Sequence, residues 1–275
     1  MTLNCRSLPL DLSRPRVMAI VNVTPDSFSD GGRYYRPEEA LARAVNCARE
    51  GAAVLDFGGE STRPGATPLS WDEEWSRLEP VFAGLPQSLA SAKIKPLPVS
   101  VDTYHPETAR RALAAGCHIV NCVYPEPIPE MLALSAETGC ALVLPCRCAA
   151  DWEAIRSAAA ALGAEAEEVL SRTMIDPEIG FGTTREEDIA LLGALRRLAE
   201  LAPVCVGVSR KRLVKKITGG KCRGKNIGGS VGAAVWCAMN GAALVRVHDV
   251  EETSQALAVA RAFAAAELPQ EETTA

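Results

Sequence analysis

The sequence predicts an α/β chain folded as a (β/α)8 TIM barrel in a single domain. Eight short apolar runs rich in β-branched residues are each followed by a helical pattern, at a mean spacing of roughly thirty residues. Polar and charged residues gather just past the C-terminal ends of those runs, where barrels of this kind carry their active sites. A doubly wound open sheet is the other topology compatible with such alternation. Length alone allows one large domain or two small ones in 275 residues. No linker-like stretch or sequence repeat divides them, so the barrel is placed at 1–267. The polar tail at 268–275 has little to pack and is expected to fray.

Taken in order, Val17 to Val21 is nearly continuous in apolarity, as suits a strand buried on both faces. Pro25, Asp26, Ser27, Ser29 and Asp30 then favour a loop, and Gly31-Gly32 permits unusual dihedrals. Pro37 to Glu50 puts Ala40, Leu41, Ala44, Val45 and Ala48 on one helical face, with Pro at its start and Gly51 past its end. Ala53 to Phe57 is the second strand, broken by Gly58-Gly59. Ser70 caps a helix to about Leu78, with Asp72, Glu73 and Glu74 in its first turn. Leu97 to Val101 is the third strand and ends at Asp102. Further strands fall at His118 to Val120, Ala141 to Leu144, Thr173 to Ile175, Val204 to Val208 and Ala243 to Val247. Helical patterns run over Pro106 to Ala115, Ile128 to Thr138, Asp151 to Leu170, Arg185 to Leu201, Arg210 to Asn240 and Val250 to Ala266.

Composition narrows the function. A hydrophobic content of 48% with 23% charged residues permits a sizeable core. The net charge of -5 argues against a general nucleic-acid binder, so any anion site must be a local basic patch. No apolar run approaches a membrane span, and the first residues, MTLNCRSLPLDLSRPR, lack the apolar stretch of a signal peptide; a cytoplasmic location is expected. The ten cysteines are dispersed, several of them inside apolar runs, as in a reduced protein using Cys as a small buried residue. Only Cys146 and Cys148 cluster locally. That is a weak metal signal, and Cys122, Cys146 and Cys148 together have no supporting His.

Seven strand ends bear polar groups: Asn22 with Asp26, Glu60 to Arg63, Asp102, Asn121, Asp176, Ser209 to Lys211, and Arg246 with His248. One such Asp would read as a helix cap or turn residue. Seven on one rim point to a site. Asp102, Asn121, Asp176 and Lys211 combine carboxylate, amide and ammonium groups able to read a flat heterocycle bearing donors and acceptors. Arg63, Arg246 and His248 suit a phosphate or pyrophosphate. Between Arg210 and Lys225 stand eight Lys or Arg and no acid, which reads as an anion-facing loop.

With these residues assembled, the chain resembles the dihydropteroate synthase family of pterin-binding barrels. The resemblance covers most of the chain and rests on NVTPDSFSDGG (22–32), FGGESTRPGA (57–66), SVDTY (100–104), MIDPEIGFG (174–182), VSRKRL (208–213) and LVRVHDVEET (244–253). It implies condensation of hydroxymethyl-dihydropterin pyrophosphate with para-aminobenzoate, giving dihydropteroate and pyrophosphate, with Mg2+ as cofactor and a homodimer as the expected assembly. It implies Asn22 as the magnesium-pyrophosphate ligand and Asp102, Asn121, Asp176 and Lys211 as the pterin pocket. Arg63, Arg246 and His248 become the pyrophosphate clamp. Ser61, Thr62 and Pro64 with Phe28 form the para-aminobenzoate wall, where sulfonamides compete.

The chain departs from the family pattern in one region. Cys122 stands where Asp usually follows Asn, Pro145 and Cys146 replace Met-His, the segment from Arg147 to Met174 is short, and Glu178 replaces the Gly of D-P-G. A pterin-binding paralogue without catalysis, or a pterin methyltransferase of the same barrel group, are the alternative readings. Intact Ser61-Thr62-Arg63-Pro64 and Phe28 speak against the methyltransferase, which has no evident need for a para-aminobenzoate wall.

Overall fold

The computed structural model describes residues 1–24, 36–60, 67–219 and 226–266. Two short strands come first, β1 (Thr2–Cys5) and β2 (Leu8–Asp11), paired antiparallel. Eight more form the barrel: β3 (Arg16–Asn22), β4 (Val54–Gly58), β5 (Val99–Asp102), β6 (Ile119–Asn121), β7 (Ala141–Pro145), β8 (Thr173–Asp176), β9 (Val204–Gly207) and β10 (Ala242–Val247). All neighbours are parallel, and β10 pairs with both β9 and β3, which closes the sheet. The open doubly wound alternative is thereby excluded.

Alternation along each strand sorts side chains into two cores. Val17, Ala19, Val21, Leu55, Phe57, Val101 and Val120 face the surrounding helices. Met18, Val54, Ile119, Val143, Met174 and Leu244 fill the barrel interior, joined from below by Leu3, Cys5, Leu10 and Leu12 of the hairpin. The hairpin therefore plugs the N-terminal mouth, and Arg6 in its turn donates to the carbonyls of Leu113 (2.7 Å) and Cys117 (2.8 Å). Sequence periodicity missed it. Its strands are only four residues long, and Arg6-Ser7 is not one of the dipeptides that announce a tight turn, although Arg6 does take a left-handed φ of 55°.

The helices are α1 (Pro37–Arg49), α2 (Trp71–Ser91), α3 (Pro106–Ala114), α4 (Ile128–Thr138), α5 (Ala149–Ala159), α6 (Ala166–Ser171), α7 (Arg185–Gly193), α8 (Leu195–Ala199), α9 (Arg212–Ile217), α10 (Ile227–Met239) and α11 (Val250–Ala264). Four differ from the sequence expectation, the first being the helix expected over Arg185 to Leu201, which is interrupted at Ala194 between α7 and α8. The α2 helix continues past Leu78 through Pro80 and Pro86, because burying Val81, Phe82, Leu85 and Leu89 outweighs the lost backbone bonds. The expected helix over Asp151 to Leu170 is two helices joined by a 3-10 turn at Ala160–Glu165, broken where Gly163 takes a φ of 62°. The basic segment from Arg210 to Asn240 contains α9 and α10, with 220–225 between them outside the described residues. The tail at 268–275 also lies outside them. No helix among the described residues is long and apolar enough to cross a membrane.

Candidate active site

The upper barrel interior changes from apolar to charged one layer above Met18 and Ile119. Asp56, in the middle of β4, is fully buried and organises that layer. Its Oδ2 accepts from Arg246 Nε at 2.6 Å and from Asn121 Nδ2 at 3.3 Å. Arg246, on β10, donates through Nη2 to Asp102 at the end of β5. One guanidinium thus bridges two carboxylates across the barrel, which tethers β10 to β4 and β5. Burial pushes the Asp102 carboxyl up to about 6, against the pull of Arg246. Burial would lower the Arg246 pKa, but Asp102 and Asp56 outweigh it and raise it. Asp56 Oδ1 and Asn121 Oδ1 are buried without a hydrogen-bond partner among the described residues.

Lys211 caps α9 and reaches back over the barrel. Its Nζ donates to the Ile179 carbonyl and lies 4.6 Å from the centroid of the Phe181 ring. Burial lowers the Lys211 pKa while Asp176 opposes it; burial raises Asp176 while Lys211 opposes that. Above these groups opens a cavity of about 520 Å³, large enough for a drug-sized ligand. Asn22, Asp102, Lys211, Arg246 and His248 all line it, as do Glu60 and Phe181. Arg210, Arg212 and Lys216 extend the basic wall, with Arg210 paired to Asp249 (Nε to Oδ2, 3.1 Å). The remaining members of the expected anion-facing segment include 220–225, which lie outside the described residues. His248 Nδ1 sits 3.1 Å from Ser209 Oγ.

The structure therefore brings together five of the expected residues on the cavity wall. Asp176 and Asn121 are both buried, and Asn121 is committed through its amide nitrogen to Asp56. Arg246, expected against a pyrophosphate, gives two of its donors to Asp56 and Asp102 instead of presenting a free fork. Phe28, Ser61, Thr62, Arg63 and Pro64 lie outside the described residues. Asp56 itself was passed over inside an apolar run, although a carboxylate within VLDFG was its own signal.

The glycine motif after β4 has a packing reason. A Cβ on Gly59 would lie 2.9 Å from Glu74 Cγ and 3.0 Å from the Glu74 carbonyl, so α2 approaches the loop only because residue 59 has no side chain. Glu74, placed by the sequence in the first turn of its helix, is fully buried and accepts from Thr103 Oγ1 at 2.6 Å. Burial pushes its carboxyl up to about 7, with Thr103 opposing. A carboxyl raised on folding contributes stability fully below its unfolded pKa and loses it as pH rises through the folded one. The barrel is thus expected to lose roughly 3 kcal/mol between about pH 4.5 and 7 through this group. Glu74→Gln should flatten that slope in urea denaturation measured at pH 5 and 8; an unchanged slope would count against it.

The departures at strand ends are packed rather than reactive. Cys122 and Cys146 are buried, and burial pushes each thiol up to about 12. Among the described residues no group of three or more His, Cys, Asp or Glu is placed to hold a metal ion.

Residues 18–248 match the profile described as pterin binding enzyme. The dihydropteroate synthase of Neisseria meningitidis serogroup C is 39% identical over 268 residues, covering 90% of this chain and 92% of its own. Among solved structures, the Xanthomonas albilineans dihydropteroate synthase with 4-aminobenzoic acid is 41% identical, with a TM-score of 0.84 over 97% of this chain and 99% of that one. The same enzyme in complex with 7,8-dihydropteroate aligns with a TM-score of 0.81 at 38% identity, over 97% and 100% of the two chains. Yersinia pestis dihydropteroate synthase in a sulfonamide drug complex is 33% identical, with a TM-score of 0.81 over 97% and 100%. Sequence match, closed barrel and charged floor agree: the chain belongs to the dihydropteroate synthase family of pterin-binding enzymes.

Proposed function

We propose that this cavity joins hydroxymethyl-dihydropterin pyrophosphate to para-aminobenzoate, with Asp102, Asn121, Asp176 and Lys211 holding the pterin. The observation that supports the residue roles is that Asp102, Lys211 and Arg246 line one cavity, with Asn121 paired beside Asp102 and Asp176 interacting electrostatically with Lys211. In the reaction the methylene C–O bond breaks and its electron pair leaves with pyrophosphate. The arylamine nitrogen then bonds to the methylene carbon and sheds a proton to water. Asp102, ionised above about 6, balances positive charge that develops on the pterin. His248, Arg212 and Lys216 face the departing anion. By the family resemblance, Arg63 is assigned to that clamp and Ser61, Thr62, Pro64 and Phe28 to the arylamine site, all outside the described residues. A neutral arylamine needs positioning more than activation, a role that falls to the family-like segments at 22–32 and 57–66.

Asn22 suits Mg2+. Its amide oxygen is a hard donor at the cavity edge, and Mg2+ commonly takes one or two protein oxygens with waters and substrate phosphates rather than a protein cage. When bound, the ion neutralises charge on the leaving pyrophosphate. Incubating the protein with both substrates and Mg2+ should release pyrophosphate and form dihydropteroate. Binding of the pterin pyrophosphate by calorimetry without any release would instead favour a carrier that does not catalyse.

A homodimer through the last helices has support in Trp236 and Met239 on α10 and Val259 and Phe263 on α11, which are 46%, 56%, 52% and 77% exposed. Phe263→Glu with Trp236→Glu is expected to convert the dimer to monomer in sedimentation at micromolar protein; an unchanged sedimentation coefficient would place the interface elsewhere. Free thiols at all nine described cysteines fit a reducing, cytoplasmic setting.

A further inference from the structure

The loop after β8 carries both neutral partners of Lys211, the Ile179 carbonyl and the Phe181 ring, and one side chain from the neighbouring strand end grips it twice. Arg147, just past β7, forms an ion pair from Nε to Glu178 Oε2 at 2.9 Å and donates from Nη2 to the Phe181 carbonyl at 2.8 Å. The two grips fall on either side of Ile179 and Gly180. Arg147 is itself held, since its backbone N–H donates to Asp151 Oδ2 at 2.7 Å on α5. Strand register fixes the base of the arrangement: Pro145 pairs with Asp176, and the Cys146 N–H donates to the Asp176 carbonyl at 2.8 Å.

Glu178 occupies this place against its backbone preference. Its φ is 57°, in the left-handed region where glycine is at ease and a branched-off side chain is strained. Its side chain is only 12% exposed. Burial pushes the carboxyl up to about 7 while Arg147 pulls it down. Groups facing it besides Arg147 include Asp176 on β8 and Asp151 on α5. Among the described residues, the interaction that such a strained, largely buried carboxylate makes here is the ion pair with Arg147.

We propose that Arg147 and Glu178 are positioning residues that hold the loop after β8 so that Ile179 and Phe181 fix the Lys211 ammonium over the barrel floor. Neither touches the reacting atoms. They act through Lys211, and the consequence for pterin recognition rests on the functional reading above.

The test uses Arg147→Ala and Glu178→Gly in the full chain, at pH 8 where Glu178 is ionised. Acylation by an amine-reactive ester, read by peptide mass spectrometry, compares Lys211 with exposed Lys216 as internal reference. Both variants are expected to raise the Lys211 to Lys216 labelling ratio about tenfold, because Lys211 loses its seat. The KM for the pterin pyrophosphate should rise about tenfold while that for the arylamine stays within about twofold. Glu178→Gly should melt at or above the wild-type temperature, since the left-handed strain is relieved. A purely structural pair would lower the melting temperature and leave the split between the two KM values untouched. A labelling ratio within about twofold of wild type in both variants overturns the clamp. Raised labelling with an unchanged pterin KM keeps the clamp and overturns the assignment of Lys211 to the pterin.

Discussion

Arg246→Met is expected to destabilise the barrel by about 3–5 kcal/mol and to abolish pterin binding. The residue is the cation between Asp56, which is fully buried, and Asp102. Removing it leaves two carboxylates facing each other in a desolvated layer. Without its pull, burial and Asp56 drive Asp102 above its present value of about 6, so the carboxyl becomes protonated near neutral pH. Urea denaturation at pH 7.5 reads the loss. Adding Asp56→Asn should recover part of the stability, because one of the uncompensated charges is gone, but not the binding. A single variant as stable as wild type would mean that the bridge is not what holds β10 to β4 and β5.

Asp102→Asn is expected to lower turnover by about 10²–10³ while the fold survives. The amide keeps the shape and loses the charge that balances a cationic pterin. In the wild-type protein the same carboxylate should produce an acid limb in kcat/KM: protonation removes the charge as pH falls through about 6, so activity drops on the acid side and is restored above it. The variant should lack that limb. If its profile between pH 5 and 8 retains the wild-type limb, another group controls the ionisation and Asp102 is not the stabilising charge. Lys211→Ala complements this test, since it should weaken pterin binding in calorimetry with less effect on the pH profile.

Much of the charged floor was open to reading because strand ends announce themselves. Asp102, Asn121 and Asp176 each terminate an apolar run, and an inward-facing polar group at that place has few structural reasons to exist. Asp56 is the counterexample. It stands two residues earlier in β4, and apolar neighbours on both sides made it look like an interruption, whereas its partners Arg246 and Asn121 come from distant strands. The burial of Glu74 was not legible for a similar reason: the sequence placed it correctly in the first turn of its helix, and only the close approach allowed at Gly59 buries it. The sequence ended α2 at about Leu78, since local patterning has no knowledge that the fold covers Val81, Phe82, Leu85 and Leu89 further along.

By itself the sequence determined the alternation of eight strands with helices and the strand ends at which Asn22, Asp102, Asn121, Asp176, Lys211, Arg246 and His248 stand. Those features follow from short-range periodicity and from the rule that barrel chemistry sits at strand C-termini. Closure into a barrel rather than an open sheet was decided by the pairing of β10 with β3. Only the tertiary structure decided that the hairpin plugs the barrel, that Arg246 bridges Asp56 and Asp102, and that Arg147 and Glu178 grip the loop beneath Lys211. Each of these depends on residues far apart in the chain, from 31 between Arg147 and Glu178 to 190 between Asp56 and Arg246. Desolvation, charge pairing and backbone strain act on such groups only once closure of the barrel has brought them together.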